Sequence, residues 1–453
     1  MKVHLIILAA GRSLRYGKKD KLSEQVGGRK LLPSLLFKME QMKKEWMGYQ
    51  ILVCGENTEK ADYTGIRVVN ENPEKGISYS VFLALHTLCG LPEWKPQDAV
   101  CFCTADQPFL KRRTVENMVE GFLESKKGIG CLFFKGPKNP CVFGGKYVPE
   151  LLSLTGDTGG KKVLRSHMED VYFYPAEKEE IWDMDEERTI VIRGAGDLAS
   201  GVGYVLYQAG YRILMLDVER PACIRRQVAF CQAIYEGVCT VQGVTGRLAA
   251  AEEEVKKIWS DKEIPVLIDP ECTCLEWVRP MVVIDAILAK KNIGTKRDMA
   301  PLTIGLGPGF TAGNDVDLVV ETMRGDTLAH VYEEGRALAN TGVPGLIEGY
   351  GKERVIHAPA SGTIRYFYRV GDPVHKGEVI AKVGNTEITA PISGYLRGAI
   401  HENYPVVKGL KIMDIEPRMD DRERCFRISD KAEKLGKAIW KAITNWEERC
   451  CGN

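Results

Sequence analysis

The sequence predicts an α/β protein with two units that each open on a buried strand and a glycine turn, followed by a smaller β segment. In the first unit, the apolar residues 5–10 end at Gly11 and are followed by a basic segment. The same pattern starts again at residues 189–201, after a charged stretch. An Ala-Pro-x-Ser-Gly sequence then occurs twice within residues 357–396. A chain of 453 residues is also too long for one ordinary core, so several domains are expected.

Composition and charge argue against a nucleic-acid-binding protein and against a membrane protein. Lys and Arg number 62 against 61 Asp and Glu, which gives a formal net charge of +1. This balance argues against a broad nucleic-acid or membrane surface, since both need concentrated positive charge. No apolar run reaches the roughly 18 residues of a membrane span. Only Lys2 precedes the first apolar run, and Gly11 and Arg12 follow it where a signal peptide would be cleaved, so a cytoplasmic protein is expected.

The cysteine pattern predicts neither a disulfide framework nor a zinc site. In a chain of this length without an export signal, the 14 cysteines are expected to be reduced. Cys101 and Cys103 share one face of a buried strand and are expected to act as apolar filler. Cys272 and Cys274 follow an acidic turn in a loop, where a reactive thiol and a structural role are both open.

The turn after the first strand predicts a phosphate site. Residues 9–11 are small enough for backbone N–H groups to approach a phosphate, and the helix expected after them adds its positive end. Arg12, Arg15 and Lys21 can add positive charge where a triphosphate would lie. Taken alone, the segment fits a strand followed by a solvated basic turn equally well.

Three further segments add nucleotide chemistry. Residues 100–105 form an apolar strand that leads to Asp106, and a carboxylate at a strand end can hold Mg²⁺. Residues 72–80 form a turn with glycine and serine that is suited to a base or ribose. Residues 156–162 are a second glycine-rich loop that opens a helix. A phosphate turn, a metal carboxylate and a second glycine loop on alternating strands and helices predict nucleotide transfer.

Residues 1 to about 190 resemble the MobA-like nucleotidyltransferases, and among them most closely the molybdenum cofactor cytidylyltransferases. That family begins with LAAGxSxR(M/F)G and a later Lys-Leu, which residues 8–17 and 21–22 match. Its other motifs correspond to residues 76–80, 106–108, 139–143 and 156–159. The Ala9-Ala10 pair favours cytidine, because the guanylyl-transferring relatives usually read LAGG there. The chain departs from the family at Asn139, where the family has His, and at residues 183–187, which shorten its DxDTPED motif.

The resemblance implies transfer of CMP from CTP to molybdopterin-bound molybdenum, with release of pyrophosphate and with Mg²⁺ as cofactor. The catalytic residues that it implies are Arg12, Lys21 and Asp106. The residues that it places at the nucleotide or the pterin are Ala9, Ala10, Gly11, Ser13, Arg15, Gly76, Ser78, Asp157 and Gly159. The metal ligands that it implies are Asp106, Asp183 and Asp185. The pterin's own phosphate would be the nucleophile, so no catalytic Ser, Cys or His is required.

The second unit begins as a βαβ motif. A strand at residues 189–193 leads into a tight turn, a helix and a second strand that ends on Asp217. The turn has the G-x-G-x-x-A pattern, in which Gly194 makes the turn and Gly196 lets the backbone approach a pyrophosphate. With Asp217 on a ribose hydroxyl, a second Rossmann-type domain that binds a dinucleotide is predicted. The alternative is a Rossmann-type core whose ligand site has been lost or put to another use.

A glycine-rich loop at residues 305–313 offers a further anion site in this unit. Asn314, Asp315 and Asp317 would give it polar partners for a ligand. The alternative is a loop that needs glycine at several positive-φ positions.

The repeats at residues 358–362 and 390–394 resemble the flattened barrel of biotinyl and lipoyl carrier domains. Those domains carry a modified lysine in the hairpin before the second repeat, where this chain has Gly384-Asn385. The resemblance therefore implies a C-terminal β-barrel without the prosthetic group. An amphipathic helix is predicted at residues 430–445. The predicted domains are 1–188, 189–350, 351–420 and a C-terminal helix within 421–453.

From about residue 189 to 445 the chain resembles the family named for YqeB, an accessory protein of selenium-dependent molybdenum hydroxylases. The segments that carry this resemblance are 194–201, 286–292, 305–314, 340–342, 409–411 and 428–432. The two resemblances imply one pathway, with an apo molybdenum hydroxylase or its insertion chaperone as partner. Two other functions stay open: a nucleotidyltransferase for a sugar or polyol phosphate, and a non-catalytic carrier of the molybdenum cofactor.

Overall fold

The computed structural model describes residues 1–11, 21–56, 58, 61–184, 188–342 and 346–451. The chain forms two compact units, Met1–Glu187 with Thr444–Asn453, and Arg188–Ile443. The first division lies one residue from the predicted boundary at 188/189. The predicted domains 189–350 and 351–420 belong to one unit, because backbone bonds such as Ala399 N–H to Ile224 O (2.7 Å) join them.

The first unit is built around one mixed sheet. Its strands are β1 (Val3–Ala9), β2 (Gln25–Val26), β3 (Arg29–Lys30), β4 (Met47–Cys54), β5 (Ile66–Val69), β6 (Ala99–Thr104), β7 (Ile129–Phe133), β8 (Pro137–Gly144) and β9 (Val171–Pro175). Its helices are α1 (Leu31–Glu40), α2 (Ile77–Cys89), α3 (Arg112–Ser125), α4 (Val148–Leu152) and α5 (Lys161–Ser166). Seven strands form the sheet in the order β5-β4-β1-β6-β8-β7-β9, and β2 pairs with β3.

The position of β1 in this sheet creates the place for a ligand. β1 lies between β4 and β6 and runs parallel to both. The strand order therefore reverses at β1, and open α/β sheets bind ligands at the carboxyl end of such a strand. A parallel strand in this position is covered on both faces, which explains its continuous apolar sequence. Val3, Ile6 and Ile7 are fully buried, and α2, α4 and α5 contribute to the core that contains Ile6.

The second unit has a larger sheet. Its strands are β10 (Thr189–Arg193), β11 (Arg212–Asp217), β12 (Val238–Val241), β13 (Val244–Ala249), β14 (Ile264–Ile268), β15 (Val282–Asp285), β16 (Leu302–Leu306), β17 (Leu318–Val320) and β18 (Val331–Tyr332). Its helices include α6 (Asp197–Gln208), α7 (Gln232–Glu236) and α8 (Glu252–Ser260). The strand order is β12-β13-β14-β11-β10-β15-β16-β17-β18, with β10 parallel to β11 and β15. The order reverses at β10, as it does at β1 in the first unit.

The segment expected to be a barrel consists of two sheets. Its strands are β19 (Val355–His357), β20 (Ile364–Tyr366), β21 (Pro373–Val374), β22 (Val379–Val383), β23 (Thr386–Thr389), β24 (Gly394–Ala399) and β25 (Lys411–Glu416). One sheet has the order β19-β25-β24-β21 and the other β20-β22-β23, and both face a single apolar core. Residues 355–416, all of which the structure describes, are called the two-sheet module below.

The predicted closed barrel is not confirmed, and the repeats show the reason. The first repeat, residues 358–362, carries the chain from β19 in one sheet to β20 in the other. The second repeat, residues 390–394, leads from β23 back to β24. The two repeats are thus crossings between sheets, and no strand pairing joins the two sheets across the described residues of the module. The predicted two-residue turn at Gly384 and Asn385 is present between β22 and β23.

The last helix, α9 (Asp430–Cys451), begins in the second unit and ends in the first. It is longer than predicted, and a series of its buried residues follows a helical spacing: Ala432, Leu435, Ile439, Ile443, Trp446 and Cys450. Among the helices of the described residues, none combines the length and the apolar character that a membrane crossing needs.

Candidate functional site

A cavity of about 590 Å³ opens at the carboxyl ends of β1 and β6, where the strand order of the first unit reverses. Its lining consists of residues 8–11, Lys21, Leu22, residues 73–77, Ser80, residues 104–106, Gly156 and Asp157. The phosphate turn, the lone carboxylate and the two glycine loops are far apart in the sequence, and the structure brings them together around one space.

The pairing of β1 with β6 explains why two of these segments meet. Leu8 lies opposite Thr104, and the Ala105 N–H donates to the Leu8 carbonyl at 3.0 Å. The small-residue turn and Asp106 therefore leave the sheet side by side. Ala10 is close to a third segment, since a Cβ added to Gly55 would lie 3.5 Å from the Ala10 Cα.

An ion pair lies within the cavity. Lys21 Nζ donates to Asp106 Oδ2 at 2.8 Å, and the two side chains are 10% and 26% exposed. Asp106 Oδ1 is buried and has no hydrogen-bond partner among the residues that the structure describes. Leaving a buried carboxylate oxygen without a partner is costly. A bound cation or ligand would supply the missing partner.

These residues fit a Mg²⁺ ion that is held jointly with a substrate. Mg²⁺ at nucleotide sites is usually bound through one or two carboxylates, water and phosphate oxygens. Asp106 Oδ1 offers one such ligand atom. Within the described part of the chain, no three His, Cys, Asp or Glu side chains come together as a metal cluster. Phosphates and water would therefore have to complete the coordination.

Of the two other predicted metal ligands, Asp183 and Asp185, the structure describes only Asp183. Asp183 is near Asp106 through the backbone, because the N–H of the next residue, Met184, donates to the Asp106 carbonyl at 2.9 Å. Asp183 is not part of the cavity lining. Asp185 lies outside the described residues, as do Arg12, Ser13 and Arg15 of the phosphate turn.

The two glycine loops of the cavity are bonded to each other. Gly76 has φ +84°, and a Cβ at this position would clash with the Gly156 carbonyl and lie 2.7 Å from the Asp157 nitrogen. Both the backbone N–H and the hydroxyl of Ser78 donate to the Gly156 carbonyl, at 3.3 and 2.7 Å. Glycine at position 76 is thus required by backbone conformation and by close approach.

Ser78 therefore has a different place from the one predicted. It was expected near the base, but it is buried and its hydroxyl holds the second glycine loop. Ser80 lines the cavity instead and accepts a bond from Asn70 Nδ2 at 2.9 Å. Gly159 is also outside the lining, and a Cβ added to it would lie 3.6 Å from the Ile77 side chain. Sequence spacing could not separate the two serines, because both belong to the first turn of α2.

The segment after Asp106 is held from several sides. Gln107 Nε2 donates to the Asn139 carbonyl at 3.3 Å, and the buried Lys38 donates to the carbonyls of Pro108 and Leu110 at 3.2 and 3.1 Å. Burial lowers the pKa of Lys38. The Phe109 ring lies between two tryptophans, with ring centroids 5.7 Å from Trp182 and 4.7 Å from Trp446 of α9. The position of Asp106 thus depends on residues near both ends of the chain.

A second cavity, of about 980 Å³, lies within the second unit at the carboxyl ends of its parallel strands. It contains the predicted Gly194, Gly196 and Asp217. Gly194 has φ +97°, and an added Cβ would lie 3.0 Å from the Ala286 carbonyl. Gly196 has φ −74°, and its added Cβ would meet only Cys223 Sγ, at 3.9 Å. No close contact among the described residues requires glycine at 196, so its small size leaves room for a ligand.

Asp217 binds the glycine turn itself. Its Oδ2 accepts from the Ala195 N–H and its Oδ1 from the Val218 N–H, both at 2.8 Å. Burial raises the pKa of this carboxyl, and the two backbone bonds oppose that effect. A ribose hydroxyl would have to share oxygens that already stabilise the turn.

Two other candidates from the sequence have structural roles. Asp315 accepts from the Thr311 N–H at 2.8 Å, and Asp317 accepts from the Thr303 N–H and pairs with Arg297. These side chains stabilise their own loop. Of the loop at residues 305–313, Pro308 lines the second cavity, and Asn314, Asp315 and Asp317 do not. Cys272 and Cys274 are buried, and burial raises the pKa of Cys272 to about 11 and that of Cys274 further, which disfavours a reactive thiolate.

Comparison with known proteins identifies the part of the chain that holds the first cavity. Residues 5–171 match the family described as MobA-like NTP transferase domain. The uncharacterized protein YqeB of Escherichia coli (strain K12) is 50% identical over 254 residues, which are 56% of this chain and 47% of YqeB. The chain thus spans about half the length of this curated relative. The first unit carries an NTP transferase domain, and a YqeB-like region accounts for about half of the chain.

Solved structures similar to the chain include three proteins. Rv0371c from Mycobacterium tuberculosis H37Rv is 23% identical with a TM-score of 0.36, covering 41% of this chain and 93% of its own. The 2-C-methyl-D-erythritol 4-phosphate cytidylyltransferase of Francisella tularensis is 17% identical with a TM-score of 0.31, covering 40% and 93%. Molybdopterin-guanine dinucleotide biosynthesis protein A of Archaeoglobus fulgidus is 16% identical with a TM-score of 0.27, covering 39% and 83%.

Proposed function

We propose that the first unit transfers CMP from CTP to the phosphate of molybdenum-loaded molybdopterin and releases pyrophosphate. The observation that carries this proposal is the cavity in which Asp106 keeps one buried oxygen without a partner in the described structure, next to Lys21 and the turn at residues 8–11. The match of residues 5–171 to NTP transferases supports the reaction type. The Ala9-Ala10 turn favours CTP, and the resemblance of residues 189–445 to the YqeB family implies the molybdenum pathway.

In this reaction the protein positions charged groups and supplies no covalent nucleophile. An oxygen of the pterin phosphate attacks the α-phosphorus of CTP, and the bond between that phosphorus and the α–β bridging oxygen breaks, which releases pyrophosphate. The backbone of residues 9–11, the ammonium of Lys21 and the start of α2 lie where they can oppose the charge of the triphosphate. When bound at Asp106, Mg²⁺ neutralises phosphate charge during the transfer.

The two glycine loops give this cavity a fixed shape. Because Ser78 hydrogen-bonds to the Gly156 carbonyl and Gly76 lies close against the same loop, the two walls keep their separation without a ligand. Such preorganisation lowers the cost of orienting two substrates. Asp157 is exposed at the edge of the cavity, where it can contact the pterin.

For the second unit we propose an accessory role in the maturation of a cytoplasmic, selenium-dependent molybdenum hydroxylase, with the apo hydroxylase or its insertion chaperone as partner. The 50% identity to YqeB and the family resemblance of residues 189–445 support this assignment. A dinucleotide at Gly194 and Gly196 would be its ligand.

The test is a pyrophosphate-release assay with CTP or GTP, Mg²⁺ and molybdenum-loaded molybdopterin. Release with CTP, at least about tenfold slower with GTP, is expected. A preference for GTP would contradict the nucleotide assignment. Release with a polyol or sugar phosphate but not with molybdopterin would contradict the acceptor. Tight binding of the pterin dinucleotide without any pyrophosphate release would show a carrier instead of an enzyme.

A further inference from the structure

The second cavity is built from two parts of the fold that are distant in the sequence. Gly194, Gly196 and Asp217 come from the βαβ motif at residues 189–217. The opposite lining comes from the two-sheet module, which contributes Arg397 on β24 and Lys411 on β25. Lys431, in the first turn of α9, completes this lining. The module thus forms one side of this cavity.

The charges of this cavity are unequal. Seven Lys and Arg side chains line it against four Asp and Glu side chains. The protein itself binds every one of these four carboxylates. Asp217 accepts from Ala195 and Val218, and Glu321 accepts from the N–H groups of Met323 and Leu338 at 2.7 and 2.8 Å. The remaining two carboxylates pair with arginines.

Those arginine pairs leave other cations without a counter-charge. Asp197 pairs with Arg225 at 3.3 Å, and Asp414 pairs with Arg354 at 2.5 Å and with Arg397 at 3.4 Å. Arg225 is 5% exposed, and its Nε is buried without a hydrogen-bond partner within the described ranges. These arginines are thus held by carboxylates of the protein, and an added anion would be met by the remaining cations of the lining.

Two ammonium groups in the cavity are available for that anion. Within the residues that the structure describes, neither Lys411 nor Lys431 makes a side-chain hydrogen bond or an ion pair. Burial lowers the pKa of both groups, and neighbouring charges act in both directions. At Lys411 the charge of Asp414 raises the pKa while Arg354 and Arg397 lower it. At Lys431 the charge of Arg324 lowers the pKa while Asp197 raises it. The cations repel one another, and a bound phosphate would relieve that repulsion.

We propose that the second cavity binds a ligand containing a nucleoside diphosphate unit, with the phosphates between the glycine turn of Gly194 and Gly196 and the ammonium groups of Lys411 and Lys431. The start of α6 at Asp197 directs its N–H groups to the same place. Free nucleoside diphosphates and pyrophosphate-linked dinucleotides share this chemistry. This inference rests on the dinucleotide proposed above for the second unit and adds the two lysines to its phosphate site; it does not depend on the transfer reaction of the first unit.

The experiment measures binding of ADP, NAD and inorganic pyrophosphate to the full chain by isothermal titration calorimetry. ADP or NAD should bind, more tightly than pyrophosphate, and added salt should weaken the binding. The double variant Lys411→Gln/Lys431→Gln should bind at least about tenfold more weakly, because each lysine contributes a charge-assisted bond. The matched control Lys408→Gln/Lys434→Gln changes two exposed lysines outside the cavity, one just before β25 and one in α9, and should bind as the wild type does.

Two further variants distinguish a loss of ADP binding at the second cavity from misfolding and from ADP binding at the first cavity. Gly196→Val places a branched side chain in open space, at a φ that valine adopts, and should abolish ADP binding while the protein stays folded. Lys21→Gln, in the first unit, should leave ADP binding unchanged. The proposal is overturned if no probe binds at about millimolar concentration, if the lysine double variant binds like the wild type, or if pyrophosphate binds as tightly as ADP.

Discussion

The two cavities occupy equivalent places in their sheets, but their aspartates have different roles. Each cavity opens at the strand where the strand order of its sheet reverses, β1 in the first unit and β10 in the second. A turn of small residues after that strand lines each cavity. In the first, Asp106 pairs with Lys21 through one oxygen and keeps the other without a partner in the described structure. In the second, Asp217 uses both oxygens to bind the backbone around its own glycine turn.

This difference separates a site suited to transfer from one suited to binding. A carboxylate with an available oxygen can take a metal ion and follow the charge changes of a reacting phosphate. In a cavity where every carboxylate already has a partner in the protein and more cations than anions line the wall, an anion can be held without a metal ion. The same sheet topology therefore supports two chemistries, and the partner of one aspartate distinguishes them.

The largest expected effect comes from removing the available charge in the first cavity. Asp106→Asn should lower pyrophosphate release by about 100-fold or more while the unit stays folded, since the loss is electrostatic. Turnover at saturating CTP and Mg²⁺ is the measurement. Asp62→Asn, an exposed aspartate outside the cavity, is the matched control. Wild-type turnover with unchanged Mg²⁺ dependence in Asp106→Asn would place the metal ligand elsewhere.

The next largest effect is expected from removing the contact between Trp446 of α9 and Phe109, which lies in the segment after Asp106. Trp446→Ala removes a ring that is 8% exposed and contacts Phe109, three residues beyond Asp106. A loss of about 3 kcal/mol in the stability of the first unit is expected, together with lower turnover. Scanning calorimetry measures the transition. Trp440→Ala, on the same helix and 46% exposed, should cost clearly less; equal losses would contradict a specific role for Trp446.

A pair of glycine substitutions compares the two turns directly. Gly76→Ala should destabilise the protein by about 1–3 kcal/mol, because φ is +84° and the new Cβ clashes with Gly156. Gly196→Ala should change stability by less than about 0.5 kcal/mol, because φ is −74° and the space is open. Thermal melts of both variants decide this. Similar melting temperatures would mean that the second loop does not restrain Gly76.

The smallest effect concerns pH and the start of α9. The hydrogen bonds from Arg324 hold the pKa of Asp430 at about 2. Because this lies below the usual value of about 3.9, the pair stabilises the folded state above pH of about 4, and this contribution disappears as the pH falls to about 2. The pair is largely solvent-screened, so Asp430→Asn should lower stability by less than about 1 kcal/mol at neutral pH. The difference between variant and wild-type melting temperatures should vanish in acid; a constant difference would exclude the ion pair as its cause.

The sequence predicted the first site better than the second for a physical reason. Lys21 and Asp106 are 85 residues apart in the sequence. Both nevertheless follow strands of one parallel α/β pattern, β1 and β6, so their motifs indicated a shared site at the carboxyl ends of these strands. The cationic side of the second cavity comes from Lys411 and Lys431, which no local pattern links to Gly194. Local sequence patterns also could not predict the direction of side chains. The bond of Ser78 to the Gly156 carbonyl and that of Asp217 to the Ala195 N–H join residues that are far apart in the sequence.

The division of α9 between the units has a consequence for biosynthesis. The segment after Asp106 is complete only when Trp446 lies on Phe109 and Glu447 lies against Gly27. At about 5–20 residues per second, the ribosome needs roughly 10–50 s between releasing residue 187 and residue 444. During this interval the nascent first unit exposes the apolar surface that the helix will cover. The first unit therefore completes its fold only after the second unit has been translated.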